Sequence, residues 1–378
     1  MNIDNKIKET KIFLENEVIP FVRNWELKNR GIPKKIVKKL GSNGFFTLLV
    51  DRKYGGQNLN LLDYCRLTEL LAEADCGLAN LINVNNSPIS LAIQNHGKPE
   101  QISDFLIPMT KGNKKGCFML SEPQAGSDAR NLKTTAKQNK EGFIVNGRKK
   151  FITGGSSADF GLLAAQALSQ NGSKLGISLF LVDRKDYEVV KIADKLGHRN
   201  VDTAEIRFKN TKISNKNLLG PMGGGYKISL KYLNTGRIAV AAQAVGVALA
   251  AFKLSSEFAK KRVTFSKPII EHQAIGHKLS EMAVKITAAR ELTKNAASLH
   301  HQGKGEVEAS IAKLYSSKIA EEVTSEALHI AGGHGYMEDN LFAKLYRDAK
   351  VLSIYEGTSD IQNLIIARRI SKGWTPST

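Results

Sequence analysis

With 378 residues, the chain is long enough to form two or three domains around a large buried core. At 42% hydrophobic and 24% charged residues it has the composition of an ordinary globular protein, and no stretch matches the roughly 20 consecutive apolar residues of a membrane span. Because its first residues lack the apolar core of a signal peptide, we expect a cytoplasmic protein that does not enter a membrane.

The chain is strongly basic, since 55 Lys+Arg against 36 Asp+Glu leave a net charge of +19. This balance favours anionic partners, such as phosphate-bearing ligands, an acidic carrier protein, an acidic electron acceptor or nucleic acid. The basic residues are nevertheless scattered as pairs, among them Lys34-Lys35, Lys149-Lys150 and Lys260-Lys261. Dispersed pairs are more typical of solvated helix and loop surfaces than of one binding patch.

No metal site is predicted. Cys65, Cys76 and Cys117 are not spaced like metal ligands, and we interpret them as reduced, buried thiols. The pair His300-His301 and the single His334 likewise have no carboxylate or cysteine partner at ligand spacing.

In chain order, residues 1 to about 115 show apolar residues at helical spacing, which predicts an N-terminal all-α domain. Residues 116–225 contain short β-rich runs, and Asn146-Gly147 between two of them predicts a β-hairpin turn. We therefore expect a small, β-barrel-like middle domain. Long amphipathic stretches at about 226–260, 269–302, 307–332 and 358–371 predict a C-terminal four-helix bundle over residues 226–378.

The glycine-rich segment 220–225 precedes the first bundle helix. Its spacing differs from Gly-x-Gly-x-x-Gly, and no strand–helix–strand unit with a following acidic residue surrounds it. We interpret it as a loop between domains, which argues against a nicotinamide-dependent dehydrogenase.

One carboxylate near the C-terminus has an unusual setting. Glu356 follows an apolar stretch, residues 351–354, and directly precedes Gly357. Burial raises the pKa of a carboxyl group toward neutrality, where it works efficiently as a general base. From these residues alone, catalysis and a structural role at the start of a helix remain equally good interpretations.

Three segments decide between these interpretations: residues 118–128 (FMLSEPQAGSD), residues 151–155 (FITGG) and the turn 355–358 (YEGT). Together they resemble the acyl-CoA dehydrogenase family, and closest is its short-chain (butyryl-CoA) branch. The resemblance extends from about residue 10 to residue 370, with support from residues 83–87, 116–123 and 236–243.

The resemblance implies an α+β fold with N-terminal helical, middle β and C-terminal helical domains. It implies an FAD-dependent homotetramer, a dimer of dimers, that converts a short-chain acyl-CoA to the trans-2-enoyl-CoA in fatty acid β-oxidation. Glu356 would remove the α-proton while hydride passes to flavin N5, and the Glu356 N–H and a flavin ribityl hydroxyl would polarise the thioester carbonyl. An electron-transfer flavoprotein would then reoxidise the flavin.

The same resemblance implies the other site residues. The flavin would be bound by Phe118, Leu120, Ser121, Ser127, Phe151, Ile152, Thr153, Thr358 and Asp360. A neighbouring subunit's FAD would be reached by Arg262, Phe265, Gln273, His329, Gly332 and Gly333. The acyl-CoA would be bound by Ser127, Asn234, Arg237 and Gly357. Phe151 stands where the family usually has tryptophan, and strand alternation predicts that Phe151 and Thr153 share one face.

Some family members carry the base on the first bundle helix, one residue before the arginine. That position is Gly236 here, so the resemblance favours Glu356 as the base. Two alternatives stay open. One is a dehydrogenase of acyl thioesters tethered to an acidic acyl carrier protein, which the charge of +19 would suit. The other is a nucleic-acid-binding homologue with vestigial activity, which we do not favour because that type has a basic C-terminal extension.

Overall fold

The computed structural model describes residues 3–27 and 31–376, and within these ranges the chain forms fourteen α-helices and ten β-strands. The first eight helices precede the strands. They are α1 (Ile3–Glu17), α2 (Val22–Leu27), α3 (Lys34–Ser42), α4 (Leu61–Ala74), α5 (Cys76–Val84), α6 (Leu91–His96), α7 (Pro99–Gln101) and α8 (Ile107–Thr110). The predicted helical N-terminal region is therefore confirmed.

Polar residues separate α4 from α5. Asn60 caps α4 by accepting a hydrogen bond from Asp63 N–H. Asp75 interrupts the helical conformation with φ of −161° and accepts from Leu78 N–H, so that α5 starts at the next residue. After α5 a π-helical turn, Asn85–Ser90, leads into α6, and Ser87 Oγ donates to the Tyr232 carbonyl. These contacts fix α5 beside the long helix of the C-terminal region.

The middle of the chain forms an eight-stranded sheet. Its strands are β1 (Gly116–Met119), β2 (Thr135–Gln138), β3 (Gly142–Thr153), β4 (Phe160–Leu168), β5 (Lys174–Asp183), β6 (Glu188–Ile192), β7 (Thr203–Ser214) and β8 (Leu218–Leu219). The spatial order is β6-β7-β3-β2-β4-β5-β8, with β1 pairing parallel to β4. A small apolar core that includes Phe143, Phe180 and Ile206 lies against this sheet.

The predicted Asn146-Gly147 hairpin turn is wrong. These residues lie inside β3, which pairs antiparallel with β7 along its length and with β2 over residues 143–146. The register with β7 shifts between Val145 and Gly147, so the dipeptide forms a β-bulge, and Asn146 Oδ1 accepts from Asn210 N–H. Gly147 has φ of 148°, and a Cβ there would collide with Thr134. The positive φ that suggested a turn is used within a strand.

Six helices and a two-stranded ribbon follow the sheet. They are α9 (Gly225–Lys261), β9 (Val263–Thr264), β10 (Lys267–Pro268), α10 (Gln273–His301), α11 (Glu306–Ala331), α12 (Gly333–Tyr336), α13 (Leu341–Lys350) and α14 (Ser359–Ile370). The four predicted bundle helices correspond to α9, α10, α11 and α14. The sequence patterns did not predict α13, which packs against α11.

Helix α9 corrects the expectation that no segment is apolar enough to cross a membrane. It contains an 18-residue window with a mean hydropathy of 1.8, which meets the length and composition of a span. In the structure 72% of that window is buried, because α4, α5, α10 and α11 surround α9. At Gly246 a Cβ would collide with the Glu69 carbonyl of α4, so the two backbones approach closely.

Candidate active site

Glu356 lies in a turn that directly precedes α14. Glu356 has φ of 54° and Gly357 has φ of 95°, so two consecutive residues adopt the left-handed region. This conformation costs a non-glycine residue about 1–2 kcal/mol, which the surrounding structure must offset. At Gly357 a Cβ would lie 2.6 Å from the Gln362 amide nitrogen, so only glycine fits there.

Side chains from three helices hold this turn. Lys313 Nζ of α11 donates to the Gly357 carbonyl at 2.7 Å. Gln362 Nε2 of α14 donates to the same oxygen at 3.0 Å and to the Glu356 carbonyl at 3.3 Å. Arg237 Nε of α9 donates to the Glu356 carbonyl at 3.5 Å. The backbone is therefore fixed through its two carbonyl groups, and the Glu356 N–H donates to no described residue.

The structural interpretation of Glu356 as a helix cap is wrong. Thr358 is the N-cap of α14 and its Oγ1 accepts from Ile361 N–H at 3.3 Å. Among the described residues no group hydrogen-bonds to Glu356 Oε2, although that oxygen is buried. The carboxyl group thus caps no helix and faces the adjacent cleft.

Burial raises the pKa of Glu356 to about 7, and the positive charges of Arg237 and Lys313 oppose this rise. Burial also lowers the pKa of Lys313 to about 8, which Glu356 opposes. A carboxyl group with a pKa near neutrality is half deprotonated at pH 7. Its carboxylate form is a strong enough base to accept a proton from a weak carbon acid. The electrostatics therefore favour a general base at this position.

Gly236 of α9 lies directly against this carboxyl group. A Cβ at Gly236 would be 2.8 Å from Glu356 Oε2 and 3.0 Å from its carboxyl carbon. A side chain at position 236 would therefore displace the Glu356 carboxyl group from its present position.

Glu356 opens onto a cleft of about 780 Å³ between α5, the sheet, α9 and α14. The predicted residues that share it are Phe118, Leu120, Ser121, Ser127, Phe151, Ile152, Thr153, Asn234, Arg237, Glu356 and Gly357. Asn234 accepts a 2.6 Å hydrogen bond from Arg237, so its oxygen positions the guanidinium group. Asp360 is exposed on α14, and Thr358 is used as the helix cap.

The wall formed by β3 differs in detail from the predicted strand. Its register with β7 shifts between Lys149 and Ile152, and Phe151 has φ of 63°. Simple alternation is thus interrupted, and Phe151, Ile152 and Thr153 all line the cleft. Phe151 is 64% exposed, which is unusual for a phenylalanine. Lys150 Nζ lies 5.2 Å from the centroid of its ring, so part of the aromatic surface is covered and the rest is exposed.

A buried ion pair that the sequence analysis missed supports the neighbouring loop. Lys149 is fully buried, and its Nζ contacts Glu122 Oε1 at 2.7 Å and the Leu120 carbonyl at 2.9 Å. Glu122 also accepts from the N–H groups of Lys133 and Thr134. The interpretation of the Lys149-Lys150 pair as a solvated surface is therefore wrong for Lys149. No local signal identifies it, since its partner is 27 residues away.

The remaining predicted cofactor residues lie outside the cleft. We call them the outer cluster, and its members are Arg262, Phe265, Gln273, His329, Gly332 and Gly333. All six are exposed, and Phe265 is 92% exposed. At both glycines a Cβ would meet no atom within 4 Å. The outer cluster thus presents an aromatic ring, polar side chains and accessible backbone to the surroundings.

The cleft fits the flavin that the resemblance implies. The hydroxyl groups of Ser121, Ser127 and Thr153 line it and make no hydrogen bond to any described residue, and Gly126 has open space where a side chain would be. Together with the exposed ring of Phe151, they supply an aromatic wall, hydrogen-bonding groups and close backbone approach. No group of three or more His, Cys, Asp or Glu residues suited to a metal ion occurs in the described ranges.

Known proteins match this chain over almost its whole length. Models of the N-terminal, middle and C-terminal domains of acyl-CoA dehydrogenases match residues 6–113, 117–211 and 223–371. A 3-(aryl)acrylate reductase of Clostridium sporogenes is 38% identical over 369 residues, which cover 97% of each chain.

Two solved structures are similar throughout. Butyryl-CoA dehydrogenase from Megasphaera elsdenii has a TM-score of 0.92 and 36% identity, covering 98% of each chain. A chain solved in work on the electron transferring flavoprotein of Acidaminococcus fermentans has a TM-score of 0.93 and 35% identity, also covering 98% of each chain. Both the residues and the fold therefore agree: this chain belongs to the acyl-CoA dehydrogenase family of FAD-dependent oxidoreductases.

Proposed function

We propose that this protein dehydrogenates short-chain acyl-CoA thioesters to trans-2-enoyl-CoA, with Glu356 as the base that removes the α-proton. The observation that carries the proposal is the buried, unpartnered Oε2 of Glu356, whose carboxyl group has a pKa of about 7. The butyryl-CoA dehydrogenase of similar structure supports a short acyl chain as substrate.

The backbone around Glu356 offers the second element of the chemistry. An α-proton becomes acidic enough for removal only when negative charge on the thioester oxygen is stabilised. The Glu356 N–H has no acceptor among the described residues and is held rigidly by the contacts of Lys313, Gln362 and Arg237 to the neighbouring carbonyls. A preorganised donor of this kind is worth about 3 kcal/mol in the transition state.

FAD, when bound, supplies the acceptor for the hydride that leaves the β-carbon. The chain's own part is to hold that acceptor opposite Glu356. Phe151 gives an apolar wall, Ser121 and Thr153 give hydroxyl groups, and the Glu122–Lys149 ion pair keeps the loop at Ser121 in place. Enclosing the reacting carbons between these walls also excludes water from the base.

We further propose that the active assembly is a cytoplasmic homotetramer in which the outer cluster binds the FAD of a neighbouring subunit. Its exposed aromatic, polar and glycine residues support this assignment. An electron-transfer flavoprotein is the proposed electron partner, supported by the similar chain solved in work on such a flavoprotein. A role in fatty acid β-oxidation is part of the same proposal.

Two variants of this function have specific support. Net reduction of a 2-enoyl thioester would use the same residues in reverse, with Glu356 returning the proton, and the Clostridium sporogenes relative named as a reductase favours it. A substrate tethered to an acidic carrier protein would suit the net charge of +19. The direction of the reaction is tested by measuring activity with an electron acceptor and with an electron donor. Substrate tethering is tested by comparing activity on free and on carrier-bound thioesters.

Glu356→Gln tests the proposal. We expect the variant to keep its FAD and to bind butyryl-CoA, while the rate of flavin bleaching falls by about 10²–10⁴-fold, because the amide accepts no proton. In the parent enzyme the rate should rise with pH through about 7, since Glu356 must lose its proton to act.

The matched control is Glu306→Gln, which removes another carboxylate at the cleft, one that pairs with Arg369. Its bleaching rate should fall no more than a few-fold. Bleaching of the Glu356→Gln enzyme at near the parent rate would show that the base lies elsewhere.

A further inference from the structure

Asn80 of α5 has an almost entirely buried side chain whose amide opens onto the cleft and has no hydrogen-bond partner among the described residues. Its side chain lines the cleft, the residue is only 7% exposed, and the amide makes no hydrogen bond to any described residue. Buried polar side chains in native proteins almost always have partners, so an exception at a ligand site calls for an explanation.

The neighbouring polar residues of α5 and the following turn are all satisfied. Asn83 accepts from Tyr64 and donates to Gln243, and Cys76 contacts both His198 and Gln243. The side chains of Asn85 and Asn86 are likewise hydrogen-bonded. The region is therefore a closely bonded polar layer in which Asn80 alone turns its amide to the cleft.

The CoA arm should lie at the other end of the cleft. Ile361, Leu364 and Arg368 of α14 line the cleft along one helix face that starts at the Glu356 turn. At a rise of 1.5 Å per residue, Arg368 lies about 13 Å from the start of the helix. Arg130, stacked on Tyr226 near the start of α9, also lines the cleft. Cationic side chains suit the phosphates of CoA.

The acyl chain must then extend from Glu356 in the opposite direction. Tyr355 donates from its hydroxyl to Gln243 Oε1 at 2.8 Å, and Gln243 Nε2 donates to the Cys76 carbonyl at 2.7 Å. Cys76 is one helical turn before Asn80. Asn80 therefore lies on the Tyr355 side of the base, where the end of the acyl group would lie.

We propose that the preferred substrate carries a neutral hydrogen-bonding group, such as a hydroxyl or carbonyl, at the far end of a short acyl chain, and that Asn80 binds it. The inference rests on the proposed function and adds the substrate class. An all-hydrocarbon acyl chain would leave the amide dry and unpaired, which is unfavourable. A carboxylate is less suitable, because the cations among the described lining residues are Arg130, Arg368 and Arg237, and none lies on α5.

Isosteric pairs of thioesters test this inference. Pentanoyl-CoA and 4-hydroxybutyryl-CoA differ by exchange of a terminal methyl for a hydroxyl, and hexanoyl-CoA and 5-hydroxypentanoyl-CoA repeat the comparison one carbon further. The ratio of kcat/KM, hydroxylated over plain, is measured for the parent and for Asn80→Leu. For at least one pair we expect the ratio to fall about 10- to 100-fold in the variant, the scale of one hydrogen bond in a buried site.

Val84→Ile is the matched control, since Val84 lies one turn further along the same face of α5 and also lines the cleft. This variant should change kcat/KM by the same factor for the hydroxylated and the plain thioester of each pair. If Asn80→Leu does not fold with FAD, Asn80→Ala gives the same comparison. Ratios that stay within threefold of the parent for both pairs would overturn the role of Asn80.

The outcome separates this inference from the proposed function. A parent enzyme whose flavin bleaches with pentanoyl-CoA but whose preference does not depend on Asn80 keeps the function and loses the inference. A parent enzyme whose flavin bleaches with neither plain nor hydroxylated thioesters, while folded with FAD, loses both.

Discussion

The Glu356 turn and the outer cluster are built in opposite ways. Around Glu356, side chains of α9, α11 and α14 converge on two carbonyl oxygens and fix a backbone that would otherwise avoid its conformation. In the outer cluster all six residues are exposed, and Phe265 has almost no cover. The proposed proton-transfer site is therefore preformed within one chain, whereas the exposure of the outer cluster is what the proposed contact with a neighbouring subunit's FAD requires.

The largest effect is expected from a substitution at Gly236, which lies directly against the Glu356 carboxyl group. In Gly236→Ala the new methyl group would lie 2.8 Å from Glu356 Oε2 and push the carboxyl group aside. We expect about a 10²-fold loss of kcat with FAD retained, because small misplacements of a catalytic group are costly. Stopped-flow flavin bleaching measures the loss. Gly246→Ala is the control, because its methyl group would meet the Glu69 carbonyl of α4 at 2.3 Å and so disturbs α9 more severely but away from Glu356. A Gly236→Ala enzyme with unaltered kcat would show that Glu356 is not confined there.

A milder change removes one support of the turn. Lys313→Met deletes the hydrogen bond to the Gly357 carbonyl and one of the two cations that lower the pKa of Glu356. We expect kcat to fall about tenfold and the midpoint of the pH–rate profile to move upward from about 7, since the carboxylate loses a stabilising charge. The pH profile of the reductive half-reaction checks both.

Lys318→Met, at an exposed lysine of the same helix, is the control for that experiment. A slower Lys313→Met enzyme with an unmoved pH midpoint would mean that Lys313 acts on the backbone alone.

The smallest effect is expected in the outer cluster. Arg262→Ala removes one exposed cation, and exposed charge pairs are worth up to about 1 kcal/mol. FAD affinity should fall about fivefold, with the pH midpoint of bleaching unchanged once FAD is saturating. Titration of the apoprotein with FAD measures the affinity, and Lys260→Ala, an exposed cation two residues earlier, is the control. If both variants bind FAD like the parent, Arg262 does not contact the cofactor.

Sequence patterns predicted what depends on local order. The helical, β and helical regions and the unusual carboxylate at Glu356 all follow from short-range spacing. The hairpin at Asn146-Gly147 failed because a strand with partners on both sides can use a positive φ for a bulge. Lysine pairs predict a solvated surface, yet Lys149 is fully buried and its partner is 27 residues away. The single lysine Lys313 is also fully buried, and its partner is 44 residues away. Only the folded chain reveals such distant partners.

The contact between Gly236 and Glu356 also constrains how this enzyme can evolve. A carboxylate gained at position 236 while Glu356 is present would be crowded by it, and Glu356 lost first leaves no base. Each single step toward moving the base is harmful, although the two together need not be. If Glu356 is the proposed base, its position is therefore protected by epistasis, and a lineage would keep it through long sequence divergence even when the surrounding residues change freely.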